Sequence, residues 1–293
     1  MKTILLVTTA FVFLSQSALA CLHFPNTYQS RLQEGLQEVF MFHDGKNAHM
    51  VVRTNLESKK FPTEVAWVLP FPSLPSKYEE MNGVFFTEVK SLFADADDAV
   101  KSLQSKGRAM GGAGNEGFKI HDTVVLDSYK IQPIEILNAG AGNEFNAWLK
   151  ENKFNPMPLE NQRYYLKKGA VFLAIRMNLN KPTTDNLASK PLHIVYPADK
   201  LSMPIKFTHD TREFDLDLYV FSKKKLDKDL SAMYLKQKGT VLYENKRNTP
   251  FLDSLIGKQK GYISKYEGYG LNKNGQLINK LATDPEFTIK DLN

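Results

Sequence analysis

The chain has 293 residues, 38 Lys+Arg against 32 Asp+Glu for a formal net charge of +6, 42% hydrophobic residues and a single cysteine. That length accommodates one large domain or two small ones, and the lone Cys21 excludes both an internal disulfide framework and every cysteine-rich zinc motif. The basic excess is uneven: residues 223–293 carry 14 Lys+Arg against 8 Asp+Glu, whereas residues 21–222 carry 23 against 24.

Residues 1–20 read as a secretory signal peptide, with Lys2 as the basic start, residues 4–14 as an apolar stretch too short to span a bilayer, and Ala18-Leu19-Ala20 before the cleavage point. The mature chain is then expected to begin at Cys21 and to be exported, periplasmic or secreted. An outer-envelope lipoprotein acylated at Cys21 is the alternative, although Ala18 stands where a lipoprotein signal wants an aliphatic residue. No other stretch approaches the roughly 20 apolar residues a membrane helix needs, so no transmembrane helix is expected in the mature chain. If cleavage leaves a free amine at Cys21, that amine, two deprotonated backbone amides and a His23 ring nitrogen can form a square-planar four-nitrogen set suited to Cu or Ni. The Cys21 thiolate is a competing soft ligand there.

Farther along, residues 37–43 and 47–56 flank Asp44-Gly45, a strong hairpin signal because the central residues of such a turn need positive φ. Apolar residues on both sides of these strands predict burial on both faces, next to the strand of Trp67. Met41, His43, His49 and Met50 resemble a soft-metal set, but in a hairpin Met41 and Met50 share one face and His49 takes the other. Residues 64–69 (Glu-Val-Ala-Trp-Val-Leu) are apolar on both faces and predict a central strand. Pairing is expected to stop at Pro70, with Pro70, Pro72 and Pro75 holding a stiff, extended exit. Pro72 and Pro75 also match a PxxP ligand, yet a strand exit accounts for them without a partner.

The spacing of Val84, Val89, Leu92 and Phe93 predicts a helix over 78–103, and Asp95, Asp97 and Asp98 lack the glycine and distal glutamate of a calcium loop. Residues 107–117 form a glycine-rich connector containing a formal GxGxxG at Gly112, Gly114 and Gly117. A strand follows it instead of a helix, which inverts the dinucleotide-binding context. Strands are expected at 118–126 and at 129–137, the latter interrupted at Pro133. A helix capped by Asn143 follows, with Phe145, Trp148 and Leu149 inward and Asn155-Pro156 closing it. A second helix at 159–168 stops at Gly169. Strands come next at 170–179, 192–196, 203–209 and 213–221. In the last, Phe214, Leu216, Leu218 and Val220 alternate with Asp215 and Asp217, which predicts a half-exposed strand with one wet face. Past Phe221 the pattern thins into short apolar pieces at 240–243 and 251–256. The predicted class is α+β, mainly antiparallel β-sheet with a few interleaved helices: a 21–222 core domain and a basic 223–293 segment partly packed on it.

Several pieces together resemble the secreted bacterial family of domain of unknown function 2330. They are Cys21 after the signal peptide, Asp44-Gly45 ending a strand, Trp67-Val-Leu-Pro-Phe-Pro, the glycine-rich loop, the Val124 strand and Trp148-Leu-Lys-Glu-Asn-Lys-Phe. Gly169-Ala-Val-Phe-Leu-Ala, Pro204-Ile-Lys-Phe, Tyr262-Ile-Ser-Lys and Thr283-Asp-Pro-Glu-Phe continue the similarity across nearly all of the mature chain. Many members carry extra cysteines that this chain lacks, and the resemblance implies no activity, substrate or catalytic residue.

The sequence holds no GxSxG elbow, HExxH pair, P-loop or C-x-x-C, and its six histidines are dispersed. His209-Asp210 is the one close His/Asp pair, but adjacent strand residues point to opposite faces. The expectation is a non-catalytic envelope or secreted protein that binds a ligand or joins a surface assembly. A hydrolase without a recognisable motif and an N-terminal Cu or Ni binder at Cys21 and His23 are the alternatives. The basic 223–293 segment suggests contact with an anionic envelope surface, and no nucleic-acid partner is expected.

Overall fold

The structure is a computed structural model. It describes residues 22–23, 33–58, 61–94, 109–110, 117–138, 140–154, 156–157, 159–179, 186–207, 213–244, 248–257, 259–271, 281 and 283–293. Among these, two large sheets lie face to face and each carries helices on its outer side.

The first sheet, sheet A, contains β1 (Leu22–His23), β4 (Glu64–Phe71), β6 (Ala109–Met110), β7 (Phe118–Ile120), β8 (Thr123–Val125), β9 (Tyr129–Ile136) and β10 (Val171–Asn178). They run in the order β1-β4-β10-β9-β8-β6, with β7 also on β9. The second, sheet B, is ordered β15-β16-β14-β2-β3-β12-β5, with β11 on β3. Its strands are β2 (Gln33–His43), β3 (Asn47–Glu57), β5 (Lys77–Glu80), β11 (Asn186–Ala188), β12 (Leu192–Pro197), β14 (Phe214–Ser222), β15 (Lys236–Tyr243) and β16 (Gly261–Leu271). A two-stranded sheet, β13 (Lys200–Ser202) with β17 (Glu286–Thr288), closes one end. Described pairings are antiparallel apart from β14 on β2, which is parallel. The α+β class with mainly antiparallel sheet is therefore what the chain forms.

Side-chain alternation along β4 sets the layering. Val65, Trp67, Leu69 and Phe71 face sheet B, where Phe71 meets Tyr196 edge-on with ring centroids 5.0 Å apart. The opposite face of sheet A receives α2 (Gly142–Glu151) and α3 (Leu159–Leu166): Phe145 packs on Phe172 at 4.8 Å, and Tyr165 meets Phe207 at 5.2 Å, whose ring in turn lies 5.6 Å from that of Phe172. Sheet B is covered on its own outer face by α1 (Phe85–Ser91) and α4 (Pro250–Ile256), whose Phe85, Phe86, Leu252 and Ile256 pack on Phe40, Tyr219 and Ile263. A short α5 (Ile289–Leu292) follows β17 with a Thr288/Asp291 capping box. Ion pairs fix the α1 layer: fully buried Glu38 takes Arg53 and Lys90, each at 2.6 Å. Glu88 of α1 then accepts the Phe251 and Leu252 N–H groups at the start of α4, both at 3.0 Å.

Several expectations need correcting. β4 does not end at Pro70, since Pro70 pairs with Phe172 and Phe71 with Val171. β1 covers the other edge of β4 only at Ala66 and Trp67 among the described residues, so a proline nitrogen facing that edge breaks no ladder bond. Pro133 likewise does not interrupt β9. Its carbonyl accepts the His121 N–H at 3.0 Å in the gap where β7 gives way to β8, and its nitrogen faces the same gap.

The hairpin β2–β3 sits in the other sheet from Trp67 and meets it across the core, and its turn centres on Gly45-Lys46, with φ +104° at Gly45. In place of a helix over 78–103 the described part holds β5 and the seven-residue α1. Asn143 lies inside α2 and makes no cap, the N-cap being Ala141. A strand at 203–209 is replaced by a 3-10 turn at Ile205–Phe207. β14 is not half-exposed: flanked by β2 and β16 and covered by α1, it buries Tyr219 and Phe221 as well as the alternating apolar set. Asp217 is buried with them beside Lys265 at 3.4 Å and under the Tyr219 hydroxyl at 3.2 Å. Past Phe221, β15 and the eleven-residue β16 complete sheet B, so this basic segment supplies core strands as well as charge.

Trp67 is fully buried between the sheets. Trp67→Ala is expected to cost about 3–5 kcal/mol, enough to unfold a domain of ordinary stability. Urea denaturation followed by far-UV circular dichroism measures it, and an unchanged midpoint would show that β4 does not organise the core.

Candidate functional site

Four chain segments far apart in sequence meet where β4 leaves sheet A. β4 exits through Pro70-Phe71-Pro72, which the prolines hold extended. α3 stops at Leu166, and Gly169, at φ +68°, turns the chain into β10, with the Ala170 N–H returning to the Tyr165 carbonyl at 3.1 Å. β12 ends at Pro197 and turns through Ala198-Asp199 into β13, and Pro204 follows. The Asp284-Pro285-Glu286 stretch leads into β17. Between them lies a cleft of about 460 Å³. Its walls include Phe71, Pro72, Pro197 and Pro204, and its polar groups include Tyr165, Lys168, Lys200, Ser202, Asp284 and Glu286.

The two carboxyl groups are set apart by their surroundings. Asp284 is 2% exposed, and its Oδ1 accepts the Tyr165 hydroxyl at 3.1 Å and the Lys206 N–H at 2.8 Å. Burial outweighs these two hydrogen bonds and raises its pKa to about 7. Burial also pushes Glu286 up, but the Lys200 hydrogen bond at 2.8 Å and the ammonium charges of Lys200 and Lys168, the latter at 3.3 Å, hold it below the ordinary value. Lys168 in turn donates to the Tyr164 hydroxyl at 2.7 Å. At neutral pH the cleft thus offers a partly protonated acid and an ionised carboxylate neutralised by two lysines. Ser202 lines the cleft, yet both neighbouring lysines are engaged by Glu286 and offer no free amine to activate it.

Sequence reasoning did not single out Asp284, Glu286, Lys168, Lys200 or Tyr165 as site residues. The available signal was the resemblance, because the Trp67-to-Pro72, Gly169-Ala170, Pro204 and Thr283-Asp-Pro-Glu-Phe pieces all border this cleft. Of the residues read as candidates, Cys21 lies outside the described residues, as does the side chain of His23. The backbone of Leu22 and His23 forms β1, opposite Trp67 and Ala66. His209, Asp210, the aspartates at 95, 97 and 98, and residues 111–116 of the glycine loop also lie outside them. Met41 faces Met50 in the core, whereas His49 sits opposite Phe42 on the other face and His43 bonds the Ala198 carbonyl at 2.7 Å, so the four do not converge. Among the described residues no group of three His, Cys, Asp or Glu could hold a metal ion.

A second polar cluster lies on the outer face of sheet B, toward its β5 edge. His49 Nδ1 stands 3.1 Å from His193 Nε2, with the rings stacked at 20°. The outer nitrogens meet carboxylates, His49 Nε2 at Asp44 at 3.1 Å and His193 Nδ1 at Glu79 at 3.4 Å. Carboxylates accept, so both outer nitrogens donate, and the inner contact needs one further proton. All three contacts hold together when the pair carries three protons and a single positive charge. The His193 hydrogen bond is the main cause that holds Glu79 at about 2. Burial lowers the His49 pKa, against the pull of Asp44. This cluster ties the β2–β3 turn, β3, β12 and β5 together.

A family model described as "Uncharacterized protein conserved in bacteria (DUF2330)" matches residues 16–247. No curated protein matches the chain. The crystal structure of baculovirus P35 is similar over 88% of this chain and 97% of its own, at 12% identity and a TM-score of 0.43. That of the caspase-8/P35 complex is similar over 87% and 96%, at 10% identity and a TM-score of 0.41.

The raised pKa of Asp284 has a measurable sign. The folded state holds its proton up to about pH 7, while the unfolded chain releases it near 3.8. This group therefore subtracts stability as pH rises from about 4 to 7, on the order of 4 kcal/mol for the full shift. Denaturant unfolding of the wild type and Asp284→Asn across pH 3–8 is expected to show the wild type losing ground to the variant through that window, with the difference flat on either side. A pH-independent difference would place the Asp284 carboxyl in an ordinary environment.

Proposed function

The chain belongs to the conserved bacterial family DUF2330, and on that premise we propose that it is an exported, non-catalytic binding protein of the cell envelope whose ligand seats in the cleft between the β4 exit and β17. One observation carries the reading: four of the segments through which the chain resembles its family, drawn from distant parts of the sequence, border one cleft. The cleft is walled by rigid prolines and an aromatic ring, with a few convergent polar groups, as small-ligand sites are. Export rests on the signal-like residues 1–20 and the cysteine that follows. Periplasmic, secreted and Cys21-acylated forms all fit this reading. Among the described residues no helix is long and apolar enough to cross a membrane. Contact with an anionic envelope surface through the basic 223–293 segment is supported by the exposed run Lys223-Lys224-Lys225 beyond β14.

A hydrolase is the second reading, favoured by the Asp284/Glu286 pair, whose environments drive their pKa values apart as in acid–base sites. An N-terminal Cu or Ni site at Cys21 and His23 is the third. It would compete with the pairing of β1, because a backbone amide cannot both serve the β4 ladder and bind a metal after deprotonation.

Two measurements separate these readings. The intact mass of the protein from native membrane and soluble fractions is expected to begin at Cys21; a chain retaining residues 1–20 in the cytoplasm would remove the export reading. A panel of ester, glycoside and peptide substrates is expected to give no turnover above background. Turnover abolished by Asp284→Asn, with the variant still folded, would establish the hydrolase instead.

A further inference from the structure

A second cleft, also of about 460 Å³, opens on the outer face of sheet A beside the C-terminal end of α2. Its distinctive part is a three-tier stack. At the base the Arg176 guanidinium is held by Glu64 at 2.5 Å and by the Asn152 carbonyl, and its carbon lies 4.9 Å from the centre of the Phe154 ring. The Phe154 ring lies 6.1 Å from that of Trp148 at 23°, nearly parallel to it. Phe154 is buried, but Trp148 is only half-buried and lines the cleft. α2 buries Gly142, Phe145 and Leu149, whereas the indole on its flank packs against the core from one side and stays partly exposed on the other. Such a ring, fixed before any ligand arrives, loses little freedom when something flat and apolar is laid on it.

The cleft carries three cationic side chains, Arg176, Lys130 and Lys153, against two carboxylates, Glu64 and the exposed Glu151 at its rim, so its formal balance is positive. Arg176 is neutralised by Glu64 and serves the stack. Lys130 and Lys153 are exposed at the same cleft and have no carboxylate partner among the described residues. Lys153 is moreover held at φ +61°, in the turn that ends α2. An aromatic platform matches the C–H face of a pyranose ring, and two ammonium groups without a carboxylate partner among the described residues match an acidic substituent on it.

We propose that this cleft binds an acidic saccharide, a sugar ring stacked on Trp148 with its carboxylate held by Lys130 and Lys153. Arg176 is a positioning residue, acting through Phe154 on the indole.

The probe is tetragalacturonate, with maltotetraose and inorganic phosphate as the comparisons, titrated into the full-length mature protein. Trp67 is fully buried, so a change in tryptophan emission reports Trp148. Expected are a saturable emission change with tetragalacturonate, at least tenfold weaker binding of maltotetraose, and no change with phosphate. By calorimetry, Trp148→Ala is expected to lose binding, Trp148→Phe to retain part of it, and Lys130→Ala with Lys153→Ala to lose the preference for the acidic chain along with its salt dependence. Arg176→Lys, which removes the planar guanidinium, is expected to weaken binding about tenfold while its own thermal midpoint stays near that of the wild type. No saturable change with tetragalacturonate, equal affinity for the neutral sugar, an equal response to phosphate, or undiminished binding in Trp148→Ala would each overturn the proposal.

Discussion

The apolar layer between the two sheets is the constraint from which the other layers follow. Val65, Trp67, Leu69 and Phe71 on one side, and Val39, Met41, Met50, Ile194 and Tyr196 on the other, remove each other from water in one continuous cluster. Because both sheets are also apolar on their outer faces, neither can stop at two layers, and helices must cover each from outside. The buried polar groups show how dominant this layer is. Among the described residues, the Trp67 Nε1 and the hydroxyls of Tyr196 and Tyr266 are buried without hydrogen-bond partners. Each such group costs about 1–3 kcal/mol, an amount the surrounding apolar burial must exceed.

Much of this was legible wherever local chemistry decides the outcome. The Asp44-Gly45 hairpin, the doubly apolar β4, the Gly169 stop and β10 all follow from residue patterns that need no partner to interpret. Several of the failures arise where the deciding neighbour belongs to another element of the fold. Pro70 and Pro133 are tolerated because no described strand calls on either nitrogen as a donor: β1 covers β4 at Ala66 and Trp67, and Pro133 faces the gap between β7 and β8. Asp217 reads as an exposed position until Lys265 of β16 and Tyr219 are seen beside it. β16 itself, with its Tyr, Gly and Lys residues, gives no strand signal, and its extended form is imposed by β14. The candidate sites were hidden for the same reason. Asp284 is an unremarkable acidic residue before a proline until Tyr165 and Lys206 enclose it.

The α2 and α3 layer positions both clefts by one local device. α2 ends with Lys153 at φ +61° and the Phe154 N–H bonded to the Leu149 carbonyl at 2.7 Å. α3 ends with Gly169 at φ +68° and the Ala170 N–H bonded to the Tyr165 carbonyl at 3.1 Å. Both are left-handed terminations that return the chain sharply toward the sheet. In each, the residue just after the left-handed position, Phe154 or Ala170, becomes part of a cleft wall. The helices thus cover sheet A and also fix how far each cleft opens at its edge.

The parallel contact of β2 with β14 bears on how the chain reaches this form. It joins residues 36–41 to residues 215–220, the first and last thirds of the sequence, and it lies at the centre of sheet B. The N-terminal hairpin can close early, but its outer edge has no strand partner until β14 has been made and brought back. Loop-closure entropy makes such a pairing slow relative to local contacts. A ribosome delivers the two strands in an order that leaves the sheet without its centre for most of synthesis, so the completed sandwich forms only after the chain is nearly whole. That delay leaves the hairpin edge exposed in the interval, for a holding chaperone to occupy.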